Sequence, residues 1–194
     1  MAQPGTLVAV LAAGSGSRFA GPGHKLEAPL GDATVLERSV AGALAADVGP
    51  VVVVLGATAF PLPPAAGALA NPDWERGLAT SLQVAIAHAR SIGANRLVVG
   101  LGDQPLVTPV AWRAVAVSDA RIAVATYDGV RGNPVALDAS CWDDMPESGD
   151  EGARAVMRLH PEWVREVPCP GTALDVDTVE DWTLTRRLLD ERTD

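Results

Sequence analysis

Aromatic residues make up only 4% of the 194-residue chain, which also holds just two cysteines, three histidines and 15 lysines and arginines against 24 acids. Each shortage excludes something. A net charge of −9 with no basic cluster argues against general binding to nucleic acid or to an anionic membrane surface. It leaves room for a phosphorylated small molecule, since a few cations, backbone N–H groups and a divalent metal outweigh screened distant charge. Cys141 and Cys169 lack metal-type spacing and read as free thiols. Apolar runs are interrupted by glycine, and the first residues lack the basic region and long apolar stretch of a signal peptide, so a cytoplasmic protein is expected. With few aromatics in a 48% hydrophobic chain, the core falls to small aliphatics. There is no composition break and no internal repeat, which predicts one domain over residues 1–194.

What is present is concentrated in the opening. Leu7 to Leu11 is an unbroken apolar run, as expected of a parallel strand buried on both faces. Small residues follow at Ala12, Ala13, Gly14 and Gly16, letting backbone N–H groups approach an anion, and Arg18 and Lys25 add two cations. This describes a phosphate cradle at the carboxyl edge of a sheet. A dinucleotide fingerprint needs glycine where Phe19 stands, and Val51 to Leu55 lacks the acid that would follow it to hold a ribose. A Walker A loop needs lysine and serine or threonine where Pro22 and Gly23 stand.

Beyond this loop, strands and helices alternate. Thr34-Val-Leu-Glu37 is a capping box for a first helix, and Val51 to Leu55 is a strand that Pro61 to Pro64 prevents from continuing. Leu78 to Ala89 has helical spacing, Leu97 to Leu101 is a buried strand, Ala111 to Val117 a helix and Ile122 to Thr126 a strand. Pro134 to Leu137 reads as a short extended piece, Ala153 to Leu159 as a helix and Val164 to Val167 as a strand, and Thr178 caps a terminal helix. The pattern predicts a three-layer, Rossmann-like α/β fold with a mostly parallel sheet, ligands binding outside the carboxyl ends of its strands.

The candidate chemistry falls at those ends. Asp103, in Gly102-Asp-Gln-Pro105, can reach Mg²⁺, which prefers oxygen ligands and substrate phosphates; an Asx-turn or helix cap is the alternative. Asp177, preferred over Asp175 in Asp175-Val-Asp177, is the second metal candidate, with helix-start electrostatics as its alternative. In Asn71-Pro-Asp-Trp-Glu-Arg-Gly77, Gly77 permits close approach, and the nearby Ser81 hydroxyl suits a base edge or a helix cap. Arg131-Gly-Asn133 and Asp150 to Arg154 are candidates for an anionic second substrate, with surface salt bridges as the alternative for the arginines. His24 could touch phosphate, but no histidine is assigned a catalytic role.

In combination, Leu11-Ala-Ala-Gly-x-Gly-x-Arg18…Lys25, Asn71…Trp74…Gly77…Ser81, Gly102-Asp-Gln-Pro105, Gly132-Asn-Pro134, Gly149-Asp-x-Gly-Ala-Arg154 and Asp175-x-Asp-Thr178 resemble the MobA-like NTP transferases. The set is most similar to the branch of molybdenum cofactor cytidylyltransferases. That resemblance implies a nucleotidyltransferase fold and transfer of CMP from CTP to the phosphate of molybdenum-bound molybdopterin, with release of pyrophosphate. The product would go to a client enzyme of the xanthine dehydrogenase type. By the same resemblance, Leu11, Ala12, Ala13, Gly14, Gly16, Arg18 and Lys25 hold the nucleotide, Asp103 and Asp177 the Mg²⁺, and Gly77 and Ser81 the base. Arg131, Asn133, Asp150 and Arg154 lie towards the acceptor. Ala13 matches the cytidylyl branch, where guanylyl-transferring relatives commonly have glycine. The loop from Arg18 to Lys25 is slightly longer than usual, and Gly31-Asp-Ala-Thr34 replaces Gly-x-x-Pro. Two alternatives remain: GTP or another acceptor, such as phospholactate or a sugar phosphate, and a non-catalytic carrier of the cofactor.

Overall fold

The computed structural model describes residues 5–56 and 58–191. The expected single domain over 1–194 therefore extends at both ends, and at position 57, outside the described residues. The β-branched and aliphatic run at the start becomes strand β1 (Thr6–Ala12), every residue of it buried. A short hairpin, β2 (Pro29–Leu30) and β3 (Ala33–Thr34), leads into helix α1 (Val35–Ala46), whose first turn is closed by the predicted capping box of Thr34 and Glu37. Then come β4 (Val51–Leu55), β5 (Ala66–Ala70), α2 (Leu78–Ser91), β6 (Arg96–Leu101) and α3 (Pro109–Ala116). The chain continues through β7 (Ile122–Tyr127), β8 (Val130–Asp138), α4 (Ala153–Leu159), β9 (Val164–Pro168) and α5 (Val179–Asp190).

Seven strands form one sheet in the order β5-β4-β1-β6-β8-β7-β9. All of its neighbouring pairs are parallel except the two that involve β8, so β8 alone runs against the rest. Because successive strand residues face opposite ways, the sheet has two cores. Val8, Val10, Val53 and Val98 pack beneath α1 and α3, and Leu7, Leu11, Val54 and Leu97 pack beneath α2 and α4. The layers are helix, sheet, helix, in an α/β fold of Rossmann-like type.

Two elements correct the sequence reading. The extended piece expected at Pro134 to Leu137 is the inner half of β8, which starts at Val130. Its register against β7 shifts between Val124 and Ala125, and that irregularity lets Gly132, Asn133 and Pro134 continue a strand that proline would otherwise stop. The other is β5, an edge strand of alanine, glycine and one leucine with no β-branched residue, which carries no propensity signal. Among the described residues, no helix is long and apolar enough to cross a membrane, and Cys141 and Cys169 are free.

Candidate active site

The carboxyl ends of β1 and β6 lie side by side because the two strands pair in parallel, Leu11 opposite Leu101. Gly102 continues the ladder, its N–H donating to Leu11 O at 2.9 Å, and Ser39 of α1 donates to Gly102 O at 2.9 Å. Asp103 is therefore delivered next to the glycine loop. The segment before α5 returns to the same place: Val176 N donates to Asp103 O at 2.9 Å, and Gln104 Nε2 donates to Ala173 O at 3.1 Å and Asp175 Oδ1 at 2.8 Å. These bonds set Asp177 opposite Asp103.

Lys25 joins the two acids. Its ammonium lies 2.5 Å from Asp103 Oδ2 and 2.8 Å from Asp177 Oδ1, while Arg18 Nη2 lies 2.9 Å from Asp177 Oδ2. The lysine side chain is only 11% exposed. Burial pulls its pKa down, but Asp103 and Asp177 outweigh that and hold it above the ordinary lysine value. Asp175 behaves oppositely: burial, then the nearby charge of Asp103, pushes its carboxyl up. Asp103 Oδ1 is buried without a hydrogen-bond partner. Two carboxylates, one with an orphaned oxygen, fit a cation such as Mg²⁺ that completes its shell with substrate phosphates. Among the described residues, no cluster of three or more His, Cys, Asp or Glu could hold a metal alone.

A cavity of about 430 Å³ opens from this knot across the sheet between α2 and α4. Arg18, Lys25, Asp103 and Asp177 line one end; Arg131, Asn133 and Arg154 are among the residues that line the rest. Arg131 is paired with Glu166 at 2.8 Å. Two further cavity residues, Glu151 and Arg158, form a two-pronged ion pair at 2.8 and 2.7 Å. The Arg158 hydrogen bonds hold the Glu151 carboxyl below its usual range. Their seven-residue separation across a loop-to-helix boundary gave no sign of this contact.

The structure does not bring every candidate to the cavity. Leu11, Ala12 and Ala13 are buried at the end of β1, and Gly14 is exposed, with open space where a side chain would project. Ser81 is buried, and its hydroxyl accepts from Asn71 Nδ2 at 2.9 Å, which fastens the start of α2. The close approach at Gly77 is to the chain itself. With φ +102, a Cβ there would lie 2.5 Å from the Gly149 carbonyl carbon, and Ala79 N donates to Gly149 O at 2.9 Å. Asp150 is exposed above Gly77 and outside the cavity.

His24 is a positioning residue that spacing did not reveal. Its Nδ1 accepts from Leu26 N at 3.2 Å, which leaves Nε2 to donate to Gly14 O at 3.2 Å. The ring lies over Gly16, where a Cβ would come within 3.0 Å of Nε2, and 5.0 Å from the Phe60 ring. It stitches the long loop between Arg18 and Lys25 back to the end of β1.

Comparison with known proteins agrees with this architecture. Residues 8–166 match the MobA-like NTP transferase domain. The purine catabolism protein PucB of Bacillus subtilis is 30% identical over 122 residues, 60% of this chain and 60% of PucB, so the match spans less than two thirds of that relative's length. A nucleotidyl transferase from Methanothermobacter thermautotrophicus, Mth528, superposes with a TM-score of 0.84 at 24% identity, covering 99% of this chain and 100% of that one. Rv0371c of Mycobacterium tuberculosis superposes with a TM-score of 0.76 at 27% identity, covering 96% and 100%, and has also been solved in complex with manganese. With a family match over most of its length and a sheet of the same design, the chain belongs to the MobA-like NTP transferases.

Proposed function

We propose that this nucleotidyltransferase moves CMP from CTP to the phosphate of molybdenum-bound molybdopterin, releasing pyrophosphate. The observation that carries transfer chemistry is the knot of Lys25, Arg18, Asp103 and Asp177 at the mouth of the cavity. The chain's part is placement and charge neutralisation, as in other phosphoryl-transfer sites. Arg18 and Lys25 neutralise the departing pyrophosphate, and preformed charges in a partly dry site lower the barrier more than they would in water. The acceptor phosphate supplies the attacking oxygen, in line with the leaving group, and no protein nucleophile is required. Asp103 and Asp177 would hold a divalent cation, which when bound supplies further positive charge to the triphosphate; the manganese complex of Rv0371c is in keeping with this.

Away from the charged end, Leu82, Val99, Val124, Val135, Leu137 and Met157 share the wall with Arg131, Asn133, Glu151, Arg154 and Arg158. Such a mixed wall offers apolar surface to a ring and polar partners to its edge. Ala13 and the resemblance to cytidylyltransferases support CTP. A relative named for purine catabolism is consistent with a client of the xanthine dehydrogenase type. Pyrophosphate release with Mg²⁺ and CTP, GTP or ATP, each with and without molybdenum-loaded molybdopterin, tests the reading. Release restricted to CTP plus the acceptor is expected; release with GTP would reassign the base, and none with any nucleotide would favour a carrier.

A further inference from the structure

Lys25 is the chain's one lysine; its other strongly basic side chains are all arginines. Its ammonium touches one oxygen of each acid, Asp103 and Asp177, and Arg18 takes the second oxygen of Asp177. Three of the four carboxylate oxygens thus face a protein cation, and the fourth, Asp103 Oδ1, is buried with no partner. The amine occupies the gap between the acids, so a divalent ion taking an oxygen from each would meet a like charge at contact distance.

We propose that Lys25 is an internal counter-ion that keeps a divalent cation off Asp103 and Asp177 until a polyphosphate draws the amine away, so that metal and nucleoside triphosphate enter as a unit. This rests on the reading of the site as one for nucleotidyl transfer. Lysine suits the role because it is a compact charge on a flexible stem. With its side chain 11% exposed, it cannot leave the carboxylates for bulk water without rearrangement, whereas phosphate oxygens at the cavity mouth offer a replacement anion. Arg18, 76% exposed, is free to follow. Once the amine has moved, the carboxylates are left under-neutralised and the orphaned Asp103 oxygen gains a use. Each ligand removes the obstacle to the other, and linkage makes the coupling reciprocal.

The test measures Mn²⁺ binding through water-proton relaxation, with no acceptor and no turnover. Without nucleotide, Lys25→Met is expected to bind Mn²⁺ at least ~10-fold more tightly than the wild type, within the usual range of coupling between sites. Tripolyphosphate or α,β-methylene-CTP should tighten Mn²⁺ binding by a similar factor in the wild type and by less in the variant. Equal Mn²⁺ affinity in wild type and variant without nucleotide would overturn the proposal. Tightening by tripolyphosphate but not by the CTP analogue would uphold the counter-ion while removing the CTP reading. Should Lys25→Met not fold, acetylation of the single lysine in the wild type replaces it, read by mass spectrometry. Mg²⁺ alone should leave that labelling unchanged at concentrations that alter it once tripolyphosphate is also present; a change with Mg²⁺ alone as large as that with both would overturn the proposal.

Discussion

The two ends of the cavity both pair cations with carboxylates, but by different means. At one end Lys25, Asp103 and Asp177 are 11%, 17% and 24% exposed and share a single knot. At the other, the Arg131–Glu166 and Arg158–Glu151 pairs are about half exposed or more. Burial makes charge strong and geometry rigid at the first end; solvent weakens both at the second. The rigid end suits a step common to the whole family, and the exposed end suits an acceptor that can differ between relatives.

Substitutions can break this contrast. The largest effect is expected for Asp103→Asn, which should lower turnover by about 10³-fold, as loss of a main charge in a preorganised site does, and also lower the thermal midpoint, because Lys25 loses one of its two carboxylate partners. Retained turnover would remove Asp103 from the chemistry. Lys25→Ala should lose at least ~10²-fold in rate, as for one transition-state charge contact. The lysine also predicts a pH effect. Its folded pKa is raised above 10.5, so its contribution to stability is complete below that value and is lost as pH rises through the higher folded value. The wild type should therefore lose thermal midpoint above about pH 10.5 more steeply than Lys25→Met, whose melting curves lack that titration.

Effects should shrink towards the exposed end. Arg154→Ala is expected to raise KM for the acceptor about 10-fold with kcat changed less than about 3-fold, the pattern of lost uniform binding. Arg158→Ala should change either constant by no more than about 3-fold, and less still in high salt, in keeping with an exposed pair. A loss in kcat at Arg158 as large as that at Lys25 would erase the distinction between the two ends.

The same contrast governs what was legible in the chain. Strands β1, β4 and β6 are continuous apolar runs, and α1 opens on a capping box, so local chemistry announced them. The glycine loop, Arg18, Lys25 and Asp103 were recognisable because each belongs to a motif that follows a buried strand. Their joining was not, since Lys25 meets residues 78 and 152 positions away and only the parallel pairing of β1 with β6 and the return of the chain before α5 bring them together. Ser81 and Gly77 are ambiguous in the sequence for a related reason: a hydroxyl and a glycine that suit a ligand equally suit the chain's own Asn71 and Gly149.

The most direct measurement follows the label from CTP carrying ³²P at the α or the γ position, with Mg²⁺ and molybdenum-loaded molybdopterin. Nucleotidyl transfer requires the α label to appear on the acceptor and the γ label to leave in pyrophosphate. Recovery of the γ label on the acceptor, or of both labels in unreacted CTP, would contradict the account.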